Sequence, residues 1–115
     1  MKENNLILDE SYSFALEVMR IAKLMREQKE YDLASQFWRA GTSIGANIEE
    51  AQAAQSRADF RSKMSIASKE ARESNYWLRL TRDGEVLPTP VILPALEQSE
   101  KIIRILTSIV KSSSD

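Results

Sequence analysis

Arg39, Ser43, Asn47 and Glu50 recur at i, i+4, i+8 and i+11, and Lys69, Glu70 and Glu73 follow at helical spacing further along the chain. Residues three and four apart share one face of a helix, so each set forms a polar row. Carboxylates and cations arranged this way can bind a metal, move protons, or pair with each other. A carboxylate-bridged metal site in a helical bundle uses Glu together with Glu-x-x-His from facing helices. Glu49, Glu50, Glu70 and Glu73 have no such completion, because the chain contains neither His nor Cys. No metal and no cofactor are therefore expected, and thiolate or near-neutral imidazole chemistry is excluded. Paired-carboxylate catalysis needs a substrate pocket that no segment suggests, whereas Arg39, Lys63 and Lys69 stand ready as ion-pair partners. The row is expected to fix helix register through satisfied polar contacts, with a ligand or partner contact as the alternative.

Three further groupings lie off the apolar stripes. Gly41 and Gly45 sit four apart beside Trp38, and small residues at that spacing let helix backbones approach closely. Each glycine inside a helix costs about 1 kcal/mol relative to Ala, so a packing role is expected for them. Ile66 and Trp77 lie among Asp59, Glu70 and Glu73, a mixture that suits a protein interface. Trp38, Gly41, Gly45, Ile66 and Trp77 are thus the candidate contacts with another copy. Arg61, Arg72 and Arg79 share an angular position with Arg57 nearby, forming a basic ridge suited to a polyanion or to acidic neighbours on the protein itself.

The elements that must carry these rows are helices. The composition, 43% hydrophobic and 29% charged with three Gly and three Pro, is that of a globular chain with long uninterrupted stretches. Its 115 residues suit one domain, 1–115. The start of the chain lacks a hydrophobic signal core and no apolar run approaches the roughly 20 residues that span a bilayer, so a cytoplasmic protein with no membrane contact is expected. A net charge of −1 argues against nonspecific nucleic-acid binding by the whole surface.

Apolar periodicity and breakers predict helices over about 9–28, 33–55, 57–83 and 91–111. The first directs Phe14, Ala15, Val18, Ile21, Ala22 and Met25 inward; the second, Leu33, Phe37, Ala40, Ile44, Ile48 and Ala51, within an arc of roughly 80° at 100° per residue. The third carries Phe60, Met64, Ala67, Ala71 and Leu78, with Gly84 as its stop. In the fourth, Leu96, Ser99, Ile103, Leu106 and Val110 stay in register while Ile102, Ile105 and Ile109 spread around them, an arc too wide for one partner face. Short connections between the helices predict an up-and-down, antiparallel four-helix bundle, and the tail Ser112-Ser113-Ser114-Asp115 should fray.

The segments Arg39-Ala40-Gly41-Thr42-Ser43-Ile44-Gly45-Ala46-Asn47-Ile48-Glu49-Glu50-Ala51, Asp59-Phe60, Ile66-Ala67 and Lys69-Glu70-Ala71-Arg72-Glu73-Ser74-Asn75-Tyr76-Trp77-Leu78 carry a resemblance. The combination of Ser-Ile-x-x-Asn-Ile-x-Glu with Lys-Glu-x-x-Glu-x-x-x-Trp-Leu resembles the four-helix-bundle family whose genes were first noticed within intervening sequences of large-subunit ribosomal RNA genes. The resemblance covers nearly the whole chain. It implies an up-and-down bundle that assembles as a ring-shaped homopentamer, with Ser43, Asn47, Glu50, Glu70 and Glu73 as signature positions. Relatives in that family include the accessory variability protein of diversity-generating retroelements, which implies nucleic acid or a reverse-transcriptase-like protein as partners.

A non-enzymatic, oligomeric binding or scaffold module follows as the leading expectation. A nucleic-acid or ribonucleoprotein accessory using Arg57, Arg61, Arg72 and Arg79 is the alternative.

Overall fold

The computed structural model describes residues 2–113, with side chains from residue 5 onward. Four helices follow one another: α1 (Lys2–Glu27), α2 (Tyr31–Ala51), α3 (Arg57–Asp83) and α4 (Thr89–Ser112). Each packs against its neighbours in chain order and α4 closes on α1, giving an up-and-down bundle 45 × 20 × 19 Å. The expected fraying of the tail concerns Ser114 and Asp115, which lie outside the described residues, together with Ser112, the last residue of α4, and Ser113, whose N–H bonds back to Ile109 O.

The helix ends depart from the sequence expectation for local reasons. α1 begins about two turns earlier than residue 9, which brings Ile7 into the core. α2 stops at Ala51 rather than 55 although Gln52, Ala53, Ala54 and Gln55 are compatible with a helix. Ser56 wins the competition: its Oγ accepts from the Asp59 N–H at 3.0 Å, and Asp59 Oδ2 accepts from the Gln55 N–H at 3.3 Å. This reciprocal cap starts α3 and requires extended backbone at Ser56. At the other end of α3, Gly84 is the cap residue, as expected; it is right-handed, with φ −81°, and the left-handed residue that turns the chain is Glu85, with φ 58°. Val86 N–H donates to Thr81 O and Glu85 N–H to Arg82 O, closing the α3 end. Lys29 plays the same part after α1, with φ 63°. Thr89 opens α4 two residues before 91, with Pro90 in the first turn, where its missing N–H is harmless.

Buried apolar side chains from all four helices fill the centre, led by Phe14, Phe37, Ile21, Ile44, Met64 and Leu78. Ala15, Leu33 and Phe60, read as inward, are only half-buried. The largest correction is in α4. Leu96, Ser99 and Leu106 are buried as expected, joined by Ile92, Ala95, Ile102 and Ile109, while Ile103 and Val110 are half-buried at the flank with Ile105, so the centre of the buried face is shifted toward Ile102. Ile102 and Ile109 therefore find partners inside the chain and provide no argument for a second copy. The buried hydroxyls of Ser11, Ser74, Thr81 and Ser99 each donate to a carbonyl on their own helix, so no polar cost is left by burying them.

The approach of α1 to α2 is set by glycine. A Cβ on Gly41 would lie 2.5 Å from Val18 Cγ2 and 2.7 Å from Val18 Cγ1, whereas one on Gly45 would lie 3.4 Å from Ser11 Oγ. Gly41→Ala is expected to destabilise the bundle by about 1–3 kcal/mol through overpacking, outweighing the gain of about 1 kcal/mol in helix propensity. Gly45→Ala should be neutral or stabilising by up to about 1 kcal/mol. Urea melts at one protein concentration read both, and equal shifts for the two variants would rule out this account of the seam.

Candidate functional site

The seam between α2 and α3 gathers a polar cluster. Arg39 Nη1 donates to Glu70 Oε2 at 2.7 Å, and Arg39 Nη2 donates to Glu73 Oε2. The same Glu73 oxygen accepts from the Trp77 indole Nε1–H at 3.1 Å. Residues 70, 73 and 77 share one face of α3, so one guanidinium from α2 meets both carboxylates and Trp77 joins through Glu73. The Glu70 side chain is only 9% exposed while that of Arg39 is 50% exposed, so the carboxylate is the partner that has lost water. Hydrogen bonds to Glu73 first, and then to Glu70, raise the Arg39 pKa above its ordinary value. A second bridge crosses lower down the seam, where Lys63 Nζ donates to Glu50 Oε1 at 2.9 Å and is itself raised in pKa by that bond.

The other members of the polar row do not join these bridges. Ser43 Oγ donates to Arg39 O at 2.6 Å and Asn47 Nδ2 donates to Ser43 O at 2.8 Å, so both are tied to their own helix. Lys69 is exposed and takes no part. Chemically the seam offers directional pairing of α2 with α3: its carboxylates are already engaged by cations and an indole N–H. Among the described residues no group of His, Cys, Asp and Glu is placed to hold a metal ion.

The residues expected to meet a second copy are distributed differently. Gly41 is buried beneath Val18 within the chain, which corrects its reading as a contact between copies. Gly45 is half-buried beside Ser11. Trp38 and Trp77 pack partly against the protein's own core, and the Arg26 guanidinium lies 5.1 Å from the centre of the Trp38 ring. Ile66 remains 38% exposed.

The sequence reading missed a second apolar stripe on α1. Leu8, Tyr12, Leu16 and Met19 recur at helical spacing beside the core stripe; Leu8 packs partly against the core, whereas Tyr12 is 66% and Leu16 54% exposed. Tyr12 and Ala15 border a shallow cavity of about 280 Å³ shared with Thr42, Gly45, Ala46 and Glu49 of α2. The signal was present as an i, i+4, i+8 pattern, but the stronger stripe of Phe14, Val18, Ile21 and Met25 masked it.

The basic ridge divides in two. Arg61 and Arg72 border an open groove of about 350 Å³ between α3 and α4, together with Lys111 of α4. Arg79 turns elsewhere: its Nε donates to Asn75 Oδ1 at 2.8 Å and its guanidinium lies 5.7 Å from the centre of the Tyr76 ring. Asn75 Nδ2 in turn donates to Ser99 Oγ at 3.0 Å, a link between α3 and α4 that the sequence reading did not assign. Arg57, a turn ahead of Arg61, does not line the groove.

Residues 3–108 match the family described as 23S rRNA-intervening sequence protein. The chain belongs to this family. A crystal structure at 1.70 Å of a protein of unknown function from the S23 ribosomal protein family of Bacteroides thetaiotaomicron VPI-5482 is similar to it, with a TM-score of 0.90 at 44% identity, covering 95% of this chain and 98% of that one. No match is found among curated proteins. Among the described residues no helix is long and apolar enough to cross a membrane.

The desolvated position of Glu70 predicts an asymmetry in the α2–α3 cluster. Arg39→Met leaves that carboxylate without its cation and should cost about 1–2 kcal/mol, less than a fully buried pair because Arg39 itself is half exposed. Glu73→Gln should cost under about 1 kcal/mol. Adding Glu70→Met to the Arg39→Met background should recover part of the loss, and urea denaturation of the four proteins measures it. No recovery in the double variant would show that Arg39 acts through packing alone.

Proposed function

We propose that this protein is a non-enzymatic, homo-oligomeric scaffold in which the outer face of α1 and α2 receives the next copy. The observation that carries this reading is the exposed Tyr12–Leu16 stripe. Burying a large apolar side chain is worth about 1.5–3 kcal/mol, so leaving both in water forfeits stability that a second copy would recover. A different exposed set, Tyr76 and Leu80 of α3 with Leu93 of α4, supplies a partner patch. Two unlike patches favour head-to-tail contacts, and such contacts close into rings when the rotation between copies allows. The resemblance drawn from the Ser43–Glu50 and Lys69–Leu78 segments favours five copies. The carboxylates with catalytic potential, Glu70 and Glu73, are occupied by Arg39 and Trp77, which supports a structural use for them.

A second reading, association with nucleic acid or a ribonucleoprotein such as a reverse-transcriptase-like partner, is supported by the positions of Arg61 and Arg72. They face a common groove without an acidic lining residue.

The scaffold reading is tested by introducing charge into the outer stripe. The double substitution Tyr12→Glu and Leu16→Glu should lower the mass measured by light scattering toward one chain while far-UV dichroism keeps its helical signal. Retention of the unmodified protein's mass would remove this face from the assembly.

A further inference from the structure

Two groups of cations stand in contrast. Arg20, Arg39, Lys63, Arg82 and Lys101 each pair with a carboxylate of the same chain. Arg61, Arg72 and Lys111 converge on the groove between α3 and α4, and no Asp or Glu lines it. Like charges gathered without a counter-charge repel one another, which makes this corner unusual in a chain whose net charge is −1. The negative end of the α4 dipole accounts for Lys111 in the last turn but amounts to about half a charge, too little to balance three cations. It also gives no reason for the two arginines on α3.

Hydroxyls that are already committed contrast with those at the groove. Ser43, Ser74, Ser99 and Thr81 spend theirs on carbonyls of their own helices. Ser65 and Ser68, which also line the groove, make no hydrogen bond among the described residues. Thr107 works differently again: it donates to Ile103 O at 2.7 Å and accepts from Arg72 Nη2 at 3.1 Å. It therefore holds the Arg72 guanidinium at the groove by one N–H and leaves that group's other donors free. Arg39 is the contrast, since its guanidinium is taken up by two carboxylates.

We propose that the α3–α4 groove is a phosphate-binding site in which Arg61, Arg72 and Lys111 supply the charge, Ser65 and Ser68 supply hydroxyl donors, and Thr107 positions Arg72. Phosphate suits this set better than a carboxylate, because it presents acceptors in several directions and accepts paired N–H bonds from guanidinium groups. The openness of the groove to one side of the bundle lets the phosphate belong to a strand as well as to a small anion. The site rests on the nucleic-acid reading for the source of that phosphate, although the site and its source separate experimentally.

Two probes serve, inorganic pyrophosphate followed by calorimetry and a fluorescein-labelled single-stranded oligonucleotide followed by anisotropy at two salt concentrations. The variants are Arg61→Gln with Arg72→Gln, Thr107→Val, and Arg79→Gln with Arg57→Gln as a comparison, each checked for helical dichroism. The site predicts that the Arg61/Arg72 variant weakens both probes at least about tenfold and lowers the salt slope by about one per lost phosphate contact. Thr107→Val should weaken both to a smaller extent, and the Arg79/Arg57 variant should bind as the unmodified protein does. Pyrophosphate binding without oligonucleotide binding would keep the site and remove nucleic acid as the source. Oligonucleotide binding that survives in the Arg61/Arg72 variant would overturn the site and leave the nucleic-acid reading standing, and binding of neither probe at low salt would overturn both.

Discussion

A helix in a four-helix bundle has one inward face, and α1 carries two apolar ones. Phe14, Val18, Ile21 and Met25 are fully buried, so they set the rotation of the helix about its axis. Val18 then falls against Gly41, where any side chain on α2 would collide with it, and the two helices approach closely enough to enclose the centre. With that rotation fixed, Tyr12 and Leu16 have nowhere to go but outward. The core and the exposed stripe are two consequences of one choice of face, and the assembly reading follows from the second.

α3 divides the polar surface. Its side toward α2 presents Glu70, Glu73 and Lys63, each paired with a charged group of α2, Arg39 serving both carboxylates, and Trp77 closes the cluster by bonding Glu73. Its side toward α4 presents Arg61 and Arg72, which meet a hydroxyl and a lysine instead of carboxylates. Ion pairs at a half-exposed seam contribute modestly to stability, yet they discriminate between registers, because sliding α2 along α3 would strand Glu70 without a cation. The first seam is thereby used up in holding the bundle. The second retains unused donors and charge, which is the physical distinction between a structural polar row and a surface able to accept a ligand.

The sequence made the bundle legible through its strongest periodicities, and it failed where periodicity was shared or where side chains had to choose partners. In α4 the isoleucines at 102, 103, 105 and 109 make a broad apolar arc whose centre periodicity alone leaves undetermined; packing against α1 and α3 selected Ile102 and Ile109. Gln52 to Gln55 look helical, yet tight turn bonds close α2 at Ala51 and the side-chain cap between Ser56 and Asp59 starts the next helix. The polar row was visible as spacing, yet spacing does not reveal that Arg39 reaches across to α3 while Ser43 and Asn47 bond along their own helix. Gly41 and Gly45 announced a close approach without naming the helix that approaches. Arg79 shared the angle of Arg61 and Arg72, but Asn75 and Tyr76 hold it aside.

The central claim is that the outer face of α1 belongs to an interface between copies of this chain. Sedimentation equilibrium of the unmodified protein across a range of micromolar concentrations tests it most directly. The account predicts a mass that is a whole multiple of the 13.1 kDa chain, with five copies favoured. A single species of one chain at every concentration would contradict it.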